Sequence, residues 1–297
     1  MLTTNVLIAG ATGYLGQHIV NEVAARGMTL KALVRSPKKL CQQKLSQQHI
    51  LPEQIIQAEV TEPETLHGIC INTDVVISVI GITRQTDKLS YDEVDYQGNL
   101  NLLREAKAAG VKKFIYVSVF RGEQLQDVAI CRAKEKFVSE LKLSGLEYCI
   151  IRPTGFFSDL SEIFHMAQKS KAYLFGDGGF RSNPIHGADL ATVCVDAITT
   201  NVDEIAVGGP EVLSHKEMVD IAFDVLGKQA RIRYIPEWIR KSALWSARHL
   251  TPKYASGPLE FFMTVMAMNM VAPTYGTQTL RAHFESLHSQ PSSEPSR

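Results

Sequence analysis

Seven residues, Gly10-Ala11-Thr12-Gly13-Tyr14-Leu15-Gly16, carry the clearest chemical signal in this chain. An apolar run, Val6 to Ala9, leads into them and an amphipathic stretch leads out. Gly10 permits a tight bend out of a strand, Gly13 lets backbone approach a pyrophosphate, and Gly16 lets a helix sit close on a sheet. The phosphates would rest at the helix N-terminus, where N–H groups without intrahelical acceptors and the positive dipole end attract anions. Gly10, Thr12, Gly13, Tyr14, Leu15 and Gly16 are therefore read as a nucleotide-binding turn. The plain alternative is an ordinary glycine-rich strand-helix turn.

The next informative position is Arg35, nineteen residues past Gly16. A carboxylate there would accept ribose hydroxyls and repel a 2′-phosphate, whereas a guanidinium forks onto that phosphate. Ser36 adds a hydroxyl, and Lys38 and Lys39 follow within one turn. NADP(H) is expected over NAD(H), with a solvated basic loop as the alternative. Val79, Ile80 and Gly81, at the end of a fourth strand, would meet the cofactor ribose and nicotinamide.

These residues need elements to hold them. Leu15, Ile19, Val20 and Val23 make the stripe of a first helix closed by Gly27, and Leu30 to Val34 make a second strand. Gln54 to Val60 reads as strand three, followed by a short helix with a Thr61/Glu64 capping box. Asp74 to Ile80 is strand four, Tyr91 to Ala109 one long helix, Lys113 to Val119 strand five, Ala129 to Leu143 a helix and Glu147 to Arg152 strand six. Strands alternating with helices predict an α/β fold, a Rossmann-type doubly wound parallel sheet. After Pro153 the rhythm turns helical, at Ala188 to Thr199, Lys216 to Leu226 and Trp238 to Ala247. The expected organisation is a dinucleotide-binding domain over 1–155 and a smaller helix-rich substrate lobe over 156–285, interleaved with the first. Residues 286–297, rich in Ser and Pro, are expected to be a disordered tail.

The chain has 297 residues, and its 31 Lys and Arg balance its 31 Asp and Glu. That overall neutrality favours neither nucleic acid nor an anionic membrane, so a small-molecule substrate is expected. Cys41, Cys70, Cys131, Cys149 and Cys194 show no paired spacing and no histidine cluster, and read as reduced thiols of a cytoplasmic protein with no metal site. No apolar run reaches the roughly 18 to 20 residues of a spanning helix. A homodimer or a protein partner is left open.

With the motifs placed, the chain resembles the atypical short-chain dehydrogenase/reductase superfamily, in the branch of NmrA-like and isoflavone-reductase-like proteins. The resemblance rests on GATGYLG at 10–16, ALVR at 32–35, VDYQGNLNLLREAKAAGVKKFIYVS at 94–118, LKLSGLEYCIIRPTGFF at 141–157 and the segment from Phe175 to Ala191. That last segment and residues 270–276 also look like divinyl chlorophyllide vinyl-reductase relatives and a respiratory Complex I accessory subunit. The resemblance implies an oxidoreductase, with Glu59 near the adenine, Lys134 at the nicotinamide ribose, Pro153 and Phe156 against the carboxamide, and Phe156 and Phe157 lining a substrate pocket.

Carbonyl-reducing members of the superfamily use a Ser, a Tyr and a Lys, the last two four apart on a helix. Ser118 and Lys134 match, but the residue four before Lys134 is Ile130, which transfers no proton. The resemblance then implies one of two readings. Lys134, with Ser118, serves a reductase of unsaturated or activated hydrophobic substrates, or the site is silent and the protein is an NADP(H)-binding redox sensor or assembly factor. Lys134 is otherwise a solvated helix lysine, Ser118 a satisfied strand-end hydroxyl, and Glu59 a solvent-facing carboxylate. Tyr91, Tyr96 and His165 are the replacement proton donors to consider. His186 and Asp189 read as a turn and helix start.

The charge argument at position 35 has a direct test. NADPH should raise the melting temperature more than NADH at equal concentration, and Arg35→Asp should invert that order. A charge-assisted hydrogen bond of about 1.5 to 3 kcal/mol corresponds to roughly a ten- to hundredfold preference. Equal shifts with both cofactors would refute the reading.

Overall fold

The computed structural model describes residues 4–37, 51–82, 89–250 and 253–289. Its centre is a parallel sheet of seven strands: β1 (Asn5–Ala9), β2 (Thr29–Val34), β3 (Ile55–Gln57), β4 (Val75–Ser78), β5 (Lys113–Val117), β6 (Glu147–Pro153) and β9 (Glu204–Val207). The spatial order is β3-β2-β1-β4-β5-β6-β9, so the winding reverses between β1 and β4. In such sheets ligands bind at the reversal, beyond the carboxyl ends of the strands.

Alternation along β1 divides the core in two. Val6 and Ile8 point to a layer formed by helices α1 (Tyr14–Ala25) and α5 (Gly187–Asp196), through Leu15, Ile19, Val23, Leu190 and Cys194. Leu7 and Ala9 point the other way, to α2 (Asn99–Ala108) and α3 (Ala129–Lys142), through Leu102, Leu103, Phe137 and Leu141. Covering both faces is why β4 reads VVIS with all four residues buried.

The remaining elements form a lobe. α4 (Phe157–Gln168), α6 (His215–Val225) and α9 (Leu280–Ser289) bury Phe157, Phe164, Met218, Phe223, Leu280 and Phe284 together. Two short sheets brace them, β7 (Ala172–Phe175) parallel to β11 (Ile232–Ile235) and β8 (Arg181–Ser182) antiparallel to β10 (Leu213–Ser214). A Ser214/Glu217 capping box starts α6. α7 (Glu237–Leu250) and α8 (Lys253–Val265) complete the lobe, with α8 also touching α3.

Four expectations change. A seventh strand, β9, not anticipated from sequence, joins the main sheet, and α5 packs beside α1. Strand three shortens to Ile55–Gln57, and the turn after it is a 3-10 helix, Pro63–Leu66, with no side-chain cap from Thr61. The long helix expected from Tyr91 is a π-helix over Asp92–Gly98 that narrows into α2. Residues 286–289 form the last turn of α9, so they are no part of a disordered tail; the rest of that segment, 290–297, lies outside the described residues, as do Lys38, Lys39 and Cys41.

Phe284 is fully buried and stacks on Phe164 with ring centroids 5.3 Å apart. Phe284→Ala should therefore destabilise the protein by about 3 to 5 kcal/mol, measured by urea unfolding. A loss below about 1 kcal/mol would show that α9 is dispensable to the lobe core.

Candidate functional site

The first helix sits against the first strand because there are no side chains between them. A Cβ at Gly16 would lie 2.1 Å from the Gly10 carbonyl oxygen, and Gly10 itself has φ +90°. Gly13 is the N-cap of α1, with extended backbone and no side-chain hydrogen bond closing the helix end, and the first turn holds no acidic residue. The N–H groups of Tyr14, Leu15 and Gly16 have no acceptor within the helix, which is the cradle a pyrophosphate requires.

From this turn a cleft of about 240 Å³ runs past Gly10, Thr12, Gly13, Arg35, Glu59, Val79, Ile80, Gly81, Ile82 and Val94. Arg35 is more than half exposed, and its Nε lies 3.9 Å from Glu59 Oε2. The two residues expected on either side of the adenosine thus face each other across one end of the cleft. Ser36 is exposed beside Arg35. These residues fit a dinucleotide: backbone donors at the turn, Arg35 and Glu59 at one end of the cleft, and apolar Val79 and Ile80 along its wall.

At the far end, Gly81 packs against a buried ion pair. Lys134 Nζ lies 3.1 Å from Asp95 Oδ1 and donates to the Tyr116 hydroxyl at 3.4 Å and the Val117 carbonyl at 3.5 Å. A Cβ on Gly81 would come within 2.7 Å of Asp95 Oδ1 and 3.0 Å of Lys134 Nζ, so only glycine lets the cleft wall approach this pair. Burial works against charge on Lys134, but Tyr116 and Asp95 outweigh it and hold the ammonium above the usual lysine range. Burial likewise pushes the Tyr116 phenol up to about 12, with Lys134 pulling against it.

The π-helix is what brings Asp95 there. Its wide turns let Asp95 reach the Ile82 N–H at 3.2 Å while Asn99 donates back to the Asp95 carbonyl at 2.9 Å. Ser78 Oγ then donates to Asn99 Oδ1 at 2.6 Å, tying this turn to the end of β4. Asp95 and Asn99, four apart and fully buried in an otherwise apolar stripe, are the signal that sequence reading passed over.

Ser118 is not brought to Lys134. Its hydroxyl donates to Glu135 Oε1 at 3.0 Å, and Arg152 holds the same carboxylate with two bonds of 2.5 and 2.9 Å. Arg152 also donates to Glu204 on β9. Neighbours on α3 therefore serve different networks, Lys134 the cleft and Glu135 the anchoring of the sheet edge.

Pro153 ends β6 buried, while Phe156 stays partly open and packs on Tyr14 with centroids 6.1 Å apart. Phe157, expected to line a pocket, is 2% exposed and belongs to the lobe core. Tyr14 accepts a hydrogen bond from Gly187 N at 3.0 Å, linking the first turns of α1 and α5. His18 and His186 pack on it with their own ring centroids 5.3 Å apart, and His283 packs on His186 at 6.1 Å. His186 caps α5 by accepting from Ala188 N, and Asp189 accepts from Thr277 N and Gln278 N.

Of the replacement donors, Tyr96 reaches Glu140 at 3.4 Å and His165 pairs with Gln168 on the surface. Tyr91 differs. It is buried in a cluster with Ile130, Cys131 and the cleft residue Ile82, and its hydroxyl has no hydrogen-bond partner among the described residues.

A doubly wound sheet with a glycine turn at its reversal defines a dinucleotide-binding protein of Rossmann type. Residues 10–201 match the family model described as NAD(P)H-binding, and the chain belongs to that family. It is 26% identical to the divinyl chlorophyllide a 8-vinyl-reductase, chloroplastic, of Cucumis sativus, over 97% of this chain and 77% of that protein. It is 30% identical to the photosystem II assembly factor Ycf39 of Synechocystis sp., over 78% of this chain and 70% of that protein. Among solved structures, the Citrobacter sp. triphenylmethane reductase complexed with NADP(H) shares the fold, with a TM-score of 0.72 at 15% identity, covering 95% of this chain and 99% of that one.

The histidine cluster predicts an acid sensitivity. Burial lowers His18 and His283 to about 4, while the unfolded chain titrates near the ordinary 6.5. Between those values the unfolded state binds more protons, so stability should fall as pH drops from 6.5 toward 4 and stay flat above 7. His283→Phe should flatten that slope in urea unfolding at pH 7.5, 6 and 5. An unchanged slope would mean His283 is protonated in the folded protein.

Proposed function

We propose that this protein is an NADP(H)-dependent reductase of a hydrophobic small molecule. The observation that carries the reading is a single cleft with the glycine turn and Arg35 at one end and Gly81, backed by Lys134, at the other. When bound there, the cofactor supplies a hydride. Arg35 and Ser36 would hold the ribose phosphate and the first turn of α1 the pyrophosphate. Lys134, kept charged by its partners and balanced by Asp95, would act as a hydrogen-bond donor toward an oxygen on which negative charge develops at the nicotinamide end.

Reduction also needs a proton. Ile130 supplies none, and Tyr91 stands in the same cluster with a buried hydroxyl that has no hydrogen-bond partner among the described residues. Burial, with Asp95 and Glu260 nearby, raises its pKa, so the phenol stays protonated. We assign Tyr91 as the donor to the substrate atom next to the one that accepts hydride. Conjugated alkenes, enones and quinones are the substrate classes that this division of labour fits. The vinyl-reductase relative and the NADP(H)-bound reductase of the same fold support the reading.

One observation favours a second reading, a silent NADP(H)-binding sensor or assembly factor. Lys134 is already engaged by Asp95 and Tyr116, and Ser118 by Glu135. The assembly-factor relative is consistent with it.

The readings separate in one set of assays. If the reductase reading holds, NADPH oxidation will be detected with at least one of these classes. Lys134→Ala and Tyr91→Phe should then each lower kcat by about a hundredfold or more with little change in NADPH affinity. Turnover unaffected by both changes refutes the assignment. No turnover with any class, together with a partner whose binding differs between NADP⁺ and NADPH, establishes the sensor.

A further inference from the structure

The overall charge balance conceals a local imbalance. Residues 226–253 contain Lys228, Arg231, Arg233, Arg240, Lys241, Arg248 and Lys253 against Glu237 alone, and the same segment holds both tryptophans of the chain. Trp238 and Trp245 lie seven residues apart on α7, two turns, so they emerge on one face, 67% and 58% exposed. Tyr234 and Ile239 are exposed beside them in sequence, and Leu259 and Phe262 are exposed on the neighbouring α8. Arg240, in contrast, turns inward to Glu237 and the Met263 carbonyl, which leaves Arg231, Arg233 and Lys241 as outward-facing cations.

We propose that this face of the lobe docks on a bilayer surface carrying anionic lipids. Among the described residues no helix is long and apolar enough to cross a membrane. An amphipathic helix lying in the headgroup plane needs aromatic side chains on one face and nearby cations; α7 offers Trp238 and Trp245 with Lys241 between them in sequence, and the exposed Arg231 and Arg233 lie shortly before it in the chain. Indole and phenol rings place an apolar body among acyl chains and a polar edge among headgroups, and each nearby Lys or Arg gains from the negative surface potential. A second copy docking through the same face would bring two patches of like charge together, and protein interface cores are depleted of lysine. The membrane is therefore the occupant that satisfies rings and charges together.

Because both tryptophans lie in this segment, intrinsic fluorescence reports on it directly. Full-length protein should sediment with phosphatidylcholine vesicles containing about one third phosphatidylglycerol, with blue-shifted emission, and much less with phosphatidylcholine alone. Added salt should weaken the binding. The double variant Trp238→Ala/Trp245→Ala should lose at least about tenfold in partitioning, and Arg233→Glu/Lys241→Glu should lose the preference for anionic vesicles. An unchanged NADPH-induced thermal shift in both variants shows that they are folded. Wild-type protein left in the supernatant overturns the proposal, as does sedimentation indifferent to the tryptophan changes. Tryptophans shielded from acrylamide in a dimer detected by light scattering would overturn it in favour of a second copy.

Discussion

The seating of α1 on β1, with the Gly10 carbonyl in the space a Gly16 side chain would fill, sets the position of nearly everything functional. It fixes where the first-turn N–H groups point, and so where an anion would be held. It also places Tyr14 within reach of Gly187, so that α5 docks alongside α1 and carries β9 to the sheet edge. A methyl group at position 16 would meet backbone, not a movable side chain, and the whole layer would have to lift.

A second constraint acts at the other end of the cleft. A fully buried carboxylate is costly unless paired and hydrogen-bonded. Asp95 meets that demand with Lys134 and the Ile82 N–H, and the π-helix supplies the extra width that lets it reach both. Gly81, Asn99 and Ser78 then close the space around it. The arrangement sets two opposite charges, Lys134 and Asp95, 3.1 Å apart directly behind the cleft wall at Gly81.

Much of this was legible in the residues, and the parts that were not have identifiable causes. The phosphate turn shows itself because its demands fall on the backbone and only glycine meets them. The parallel sheet shows itself because strands buried on both faces leave nearly continuous apolar runs. The π-helix is hidden because its apolar spacing differs little from that of an α-helix over two turns; only the buried pair Asp95 and Asn99 betrays it. Ser118 and Lys134 read as partners through the resemblance, yet one position along α3 separates the cleft from the sheet-edge network around Arg152. Polar composition suggested a tail from Ser286, whereas Phe284 and Leu287 draw that stretch into α9. The basic, tryptophan-bearing segment vanished in a chain-wide charge count that sums to zero.

The junction of Tyr14, His18, His186, Phe157 and His283 joins residues separated by nearly the length of the chain. During synthesis the glycine turn emerges well before its supports on α5 and α9. A nascent chain can pair β1, β2 and β4 early and still lack the packing that steadies the start of α1. Long-range closure of this kind makes folding slow and leaves the apolar face of α1 uncovered on partly made chains. Removing α9 should therefore be felt at the start of α1, through the contacts of His283 with His186 and of His186 with Tyr14.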